Sequence, residues 1–223
     1  MHYDWQPLFL TLQLALVTTG ILFVVGVPMA TWLAFSKSKW TCVVEPLVTL
    51  PLVLPPTVLG FYILLAFSPQ YFLGQFLESA FGIRVAFSFS GLVIGSVLFS
   101  LPFMVNPVKA AFQNFPLSLV EASYVLGKSP LETLRKVILP NIRPALWTGG
   151  IMAFAHTLGE FGVVLMVGGN IPGETRVTSI AIFSEVEALN YDTAGFYSLV
   201  LVVFSFLILF GFYSFQRKPV KFL

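Results

Sequence analysis

Five stretches of this chain are apolar for far longer than a soluble helix requires, at about residues 8–35, 43–67, 91–112, 144–167 and 194–215. At 1.5 Å rise per residue, each can cross the roughly 30 Å of hydrocarbon in a bilayer. Lipid offers backbone amides no partner, so a stretch of this kind crosses as an α-helix. The expected fold is an all-α membrane protein, one domain over residues 1–223, with five spans.

Composition agrees: 57% of residues are hydrophobic and 10% charged, where a soluble domain carries about 25% charged residues. No room remains for a sizeable soluble domain. Cys42 is the sole cysteine, which excludes a disulfide framework or a cysteine-ligated cluster and reads as an inert apolar thiol. The first four residues lack the basic region of a cleaved signal, so the first apolar stretch is expected to stay as a helix. Residues 68–89 are interrupted by Pro69, Gln70, Gly74, Gln75, Glu78 and Arg84, and read as a short interfacial helix.

Five spans place the termini on opposite sides, and basic residues mark the cytoplasmic one. With the N-terminus outside and the C-terminus cytoplasmic, Lys37, Lys39, Lys109, Lys128, Arg135, Lys136, Arg143, Arg217, Lys218 and Lys221 lie inside, and only Arg84 and Arg176 outside. No internal repeat is visible, and an odd span count does not divide into the paired halves common in secondary carriers.

The second span contains Pro51, Pro55 and Pro56 near mid-depth, followed by Thr57. Proline removes a backbone donor and clashes with the preceding turn. Carbonyls freed in lipid cost several kcal/mol each, so the break faces protein or a wet cavity. A pathway lining and a packed kink both satisfy that requirement.

Residues 114–143 fall between the third and fourth spans and spell two short helices. Pro116 suits a first helical position and Gly127 a stop; Ser129 and Glu132 form a capping box with Pro130 behind the cap, and Pro140 closes the second helix. Helices this short are marginal alone, yet they display Leu119, Val120, Tyr124, Leu126, Leu131, Leu134, Val137 and Ile138. A groove in a soluble partner, or the ends of the chain's own spans, would cover them.

Glu121-Ala122-Ser123, Gly127 and Ile138-Leu139-Pro140 resemble the EAA signature of bacterial ABC-importer permeases of type I, with Ser123 in place of alanine and Leu139 directly before proline. The resemblance implies the MetI-like fold and a coupling segment, including Ser129 and Leu131, that docks into a cytoplasmic ATPase. A competing likeness to a phosphate-binding loop in 122–129 lacks its first glycine and a preceding strand. The chain is therefore not expected to be an enzyme. Nor is it expected to bind a cofactor or metal of its own, and the resemblance implies that ATP-Mg belongs to the partner subunit.

The wider pattern is similar to the molybdate branch of that family: Leu50–Pro56, Leu158-Gly159-Glu160-Phe161-Gly162 and Asn170-Ile171-Pro172-Gly173-Glu174-Thr175-Arg176. Sulfate permeases resemble it around Glu160 and differ after Pro172. The resemblance implies a multi-pass protein of the bacterial inner membrane. Its partners would be a second copy, two ATP-binding subunits, a periplasmic or surface molybdate-binding protein and lipid, with no nucleic acid. Tungstate, sulfate or thiosulfate remain rival cargoes, and an ATP-independent carrier, a channel or a scaffold rival classes.

Inside the fourth span, Glu160 is a charge costing about 2.5–3.5 kcal/mol on insertion scales unless paired or facing a cavity. His156 lies one helical turn earlier, on the same face. A pathway or gate role is assigned to Pro55, Pro56, Thr57, His156, Glu160, Phe161 and Gly162, with His156 or Arg176 as partner for Glu160. Arg176 in the outer loop could meet an oxyanion or an acidic surface, or simply be solvated.

Overall fold

A computed structural model describes residues 3–216, the side chains through Ser214. Met1, His2, Arg217, Lys218 and Lys221 lie outside the described residues. In chain order the helices are α1 (Gln6–Phe35), α2 (Thr41–Thr49), α3 (Pro56–Phe67), α4 (Phe72–Phe81), α5 (Phe89–Gln113), α6 (Leu117–Val125), α7 (Pro130–Thr133), α8 (Leu139–Asn141), α9 (Arg143–Gly159), α10 (Gly162–Gly168), α11 (Thr178–Glu187) and α12 (Tyr191–Gln216). No strand occurs among the described residues.

Three helices, α1, α5 and α12, are long and apolar enough to cross a membrane unbroken. Two bent pairs are long and apolar enough only when each is taken together: α2 with the 3-10 turn Leu50–Leu52 meets α3 at 116°, and α9 meets α10 at 62°. Pro55 and Pro56 cause the first break, because neither can donate to the preceding turn. The second break, at Glu160 and Phe161, carries no proline and departs from the continuous fourth span expected from hydropathy. Glu160 adopts extended backbone there, with ψ 132°.

The interior forms where α1, α5 and α9 meet. Leu22, Met104, Val105, Val108 and Ala153 are fully buried there. Glycines set the spacing: a Cβ on Gly26 would meet the Met104 side chain and one on Gly149 the Met104 backbone. Small residues of this kind let membrane helices approach closely. In contrast, α12 packs on α11 and one edge of α9 and leaves Leu199, Val202, Phe206 and Phe210 exposed, a surface suited to lipid.

The bundle has two distinct ends. At one, Tyr197 Oη donates to Asp4 O at 2.8 Å, and Thr178 and Thr11 share a 2.8 Å hydrogen bond. At the other, the Phe35 and Phe112 rings pack edge to face beside Ile138 and Ile142. Lys109, ion-paired to Glu45, and residues 114–143 belong to this second end. Within residues 68–89 lies the short α4, stopped by Gly82 in the left-handed region.

Pro140 does not close the second short helix. The chain continues from α7 through a π-helical turn, Leu134–Ile138, into α8 and then α9. Leu139 N donates five residues back to Leu134 O. The wider turn accommodates a proline ring that an α-helical turn would reject.

Candidate functional site

Two regions gather most of the candidate residues, one at the α6–α8 end and one at the pair of helix breaks. In the first, α6 ends on Gly127 at φ +76°, with Lys128 N bonding back to Ser123 O at 3.1 Å. Glycine fits because other residues pay for that conformation. Ser129 Oγ accepts from Glu132 N, the Glu132 carboxylate accepts from Ser129 N, and Lys136 Nζ donates to Glu132 at 2.8 Å. The Lys136 bond first, then the Ser129 amide, hold the Glu132 carboxyl below the usual carboxylate range. Pro116 serves as the N-cap of α6 rather than its first helical residue.

The two short helices are joined by a buried bond that the sequence did not disclose: Ser123 Oγ lies 2.8 Å from Thr133 Oγ1. The apolar residues then divide. Ile138 is buried in the bundle, and Val120, Leu134 and Leu139 pack against it, which corrects the expectation that all face water. Val125 (88% exposed), Leu126 (77%) and Leu117 (74%) remain uncovered, with Tyr124 and Leu131 beside them. Glu121 and Ala122 also lie on the exposed side.

In the second region, Pro56, Thr57, Phe99, His156, Glu160, Phe161 and Gly162 line one cavity of about 650 Å³. Thus six of the seven residues assigned to a pathway or gate converge, and the seventh, Pro55, is the N-cap of α3 next door. A Cβ on Gly162 would stand 2.7 Å from Pro56 Cβ, so the two broken helices touch at their breaks. Ser179 Oγ donates to Glu160 O at 2.6 Å and pins the second break to α11.

The expected pairing of Glu160 does not form. Glu160 is 4% exposed, its carboxylate meets the Ser96 hydroxyl rather than a cation, and no full hydrogen bond closes between them. Once α9 ends, the one-turn spacing to His156 no longer holds. His156 Nδ1 instead lies 3.0 Å from Ser100 Oγ, and its ring stacks on Phe103 with centroids 4.1 Å apart. Arg176 Nε donates to Asn170 Oδ1 at 2.7 Å. Ser100 and Ser96, one turn apart on α5, were the signal for this polar face.

The outer loop is wound around Thr175, which is fully buried: its Oγ1 donates to Gly168 O at 2.7 Å and accepts from Ile171 N at 3.0 Å. Pro172, Gly173 and Glu174 are exposed, and Gly173 has φ +82°. Glu174 and Arg84 border a further cavity of about 680 Å³ at this end.

Residues 23–218 match the family described as binding-protein-dependent transport system inner membrane component. This chain belongs to that family of transport permeases. The permease is 45% identical over 216 residues to the molybdenum transport system permease protein ModB of Azotobacter vinelandii, covering 97% of this chain and 96% of that one. It is 34% identical to the sulfate transport system permease protein CysT of Salmonella typhimurium, over 93% and 75% of the two chains. A structure of the MetNI methionine ABC transporter in inward-facing conformations shares its fold, at TM-score 0.74 and 20% identity over 95% and 93% of the chains. The permease is thus an all-helical inner-membrane protein of the MetI-like fold, in a family whose relatives are transport permeases.

Proposed function

We propose that the permease is the membrane subunit of an ABC importer for molybdate, working as a pair of copies with two cytoplasmic ATPases and an external molybdate-binding protein. The end-to-end likeness to the Azotobacter vinelandii molybdenum permease carries the choice of cargo. Chemistry supports the rest: Val125, Leu126, Leu117, Tyr124 and Leu131 form an apolar surface on helices that a soluble ATPase can grip. The chain holds no ATP or metal itself, and ATP-Mg is bound by the ATPase.

The five crossings run with the N-terminus outside and the α6–α8 end in the cytoplasm. ATP-driven approach of the motor subunits pulls on α6–α8. Because α7, the π-helical turn and α8 run directly into α9, the pull reaches the break at Glu160 and changes access to the cavity. Glu160, unpaired and buried, is a poor anion ligand and acts as a gate element; the loop from Asn170 to Arg176 receives the binding protein.

The test is co-reconstitution of the permease with its ATPase and binding protein in nanodiscs. Molybdate stimulates ATP hydrolysis on this reading, and sulfate does not. Stimulation by sulfate alone reassigns the cargo; stimulation by neither anion removes the importer reading.

A further inference from the structure

The hydroxyl chain ending on His156 fixes which way its hydrogen bonds point. Thr157 Oγ1 donates to Ala153 O at 2.9 Å, which uses its one proton. Toward Ser100 Oγ, 3.0 Å away, Thr157 then accepts, and the Ser100 proton is used in turn. Ser100 Oγ can only accept from His156 Nδ1 at 3.0 Å. The reversed chain makes two of these bonds instead of three, because Ala153 O loses its share.

Neutral His156 therefore carries its proton on Nδ1, and Nε2 presents a lone pair. The ring borders the cavity with Pro56 and Thr57. A tetrahedral oxyanion offers acceptors on every side, so that lone pair repels it. Contact requires a second proton, placed on Nε2. Two aromatic faces border the ring, Phe103 at 4.1 Å and Phe99 at 4.8 Å, centroid to centroid, and the anion's own charge has to offset the burial of the resulting cation.

We propose that His156 is the cavity's hydrogen-bonding contact for the transported oxyanion, and that it makes the contact only as imidazolium, so a proton accompanies each anion held there. The proton arrives from water on the Nε2 lone pair and leaves when the anion does. The inference rests on the oxyanion reading above. Among the described residues, Glu160 is the one other titratable group that borders the same cavity. Helices α1 and α10 carry none, α3 has Tyr62, and α5 has Lys109, which is tied to Glu45. Helix α12 has Asp192 and the tyrosines 191, 197 and 213, and α9 itself adds Arg143 at its opposite terminus.

The experiment measures labelled molybdate uptake per ATP hydrolysed by the complete transporter in proteoliposomes, from roughly pH 5.5 to 8, where the proton for the contact has to be drawn from increasingly basic water. Wild-type uptake per ATP falls as pH rises. His156→Gln, whose amide donates without titrating, gives a clearly shallower fall, and any remainder belongs to Glu160. Ser100→Ala frees Nδ1 and lets the neutral ring donate from Nε2, so the fall becomes shallower. His156→Phe keeps the ring stack, lacks the donor and loses about tenfold of the uptake at low pH, the worth of one hydrogen bond to a charged group. His156→Phe with wild-type uptake, or His156→Gln with the wild-type profile, overturns the inference alone. A wild-type complex that moves no oxyanion overturns the cargo assignment with it.

Discussion

Apolar side chains at the α6–α8 end stand uncovered, whereas at the paired helix breaks polar side chains are shut away. Val125, Leu126 and Leu117 would each gain about 1.5–3 kcal/mol on burial, yet the bundle leaves them exposed and covers Ile138 and Val120 instead. At the second break Glu160 is buried with no cation beside it and faces the poorly bonded Ser96 hydroxyl of α5; a buried group without a full hydrogen bond costs about 1–3 kcal/mol, and a charge more. Both regions store unfavourable contacts, of opposite kind. The first is relieved by another polypeptide, the second by a change of shape or by cargo.

The sharpest way to break this contrast is to jam the breaks. Gly162→Val places a side chain against Pro56 and is expected to cost about 1–3 kcal/mol through overpacking. A lowered unfolding temperature in detergent would register it; an unchanged one would mean that the two broken helices are not in firm contact. At the other region the expectation reverses. Leu126→Asp should leave that temperature unchanged while weakening capture of the ATPase by roughly 30-fold, as for an interface residue worth about 2 kcal/mol. Pull-down titration measures the loss.

A middle-sized effect is expected at Ser123→Ala, which strands the buried Thr133 hydroxyl at about 1–3 kcal/mol. Adding Thr133→Val should restore much of that, and a double-mutant cycle on thermal stability checks it. The smallest concerns Glu132. Its carboxyl is held low chiefly by Lys136, so the capping contribution is present above the usual carboxylate range and is lost as pH falls through the lowered value. Amide exchange at 129–133, corrected for intrinsic rates, should accelerate there in wild type and already be fast at neutral pH in Glu132→Gln.

Local signals were the legible ones. Apolar run length matched α1, α5, α12 and the two bent helix pairs to within a few residues, and the spacing of Ser129 and Glu132 located a capping box because both partners lie in one turn. Gly127 was readable for the same reason. What escaped depends on distant segments. The break at Glu160 follows from the fit of Gly162 against Pro56 and of Ser179 against the Glu160 carbonyl, which hydropathy cannot register. Ser100 and His156 are 56 residues apart, so their pairing exists only once α5 and α9 run antiparallel. Pro140 misled because a π-helical turn can absorb a proline that an α-helix cannot. Pro56, Thr57, His156, Glu160 and Gly162 were recognisable individually, since each is polar or helix-breaking inside an apolar stretch; Phe99 carried no such mark.

The central claim is that α6 and α7 face the cytoplasm and are gripped there by a soluble motor. It is tested by replacing Cys42, the one native thiol, and placing a single cysteine at Val125 for labelling with a membrane-impermeant maleimide. The account predicts no labelling of intact cells, full labelling after permeabilisation, and protection when the ATPase is bound. Labelling from outside, or equal reactivity with and without the bound ATPase, would contradict it.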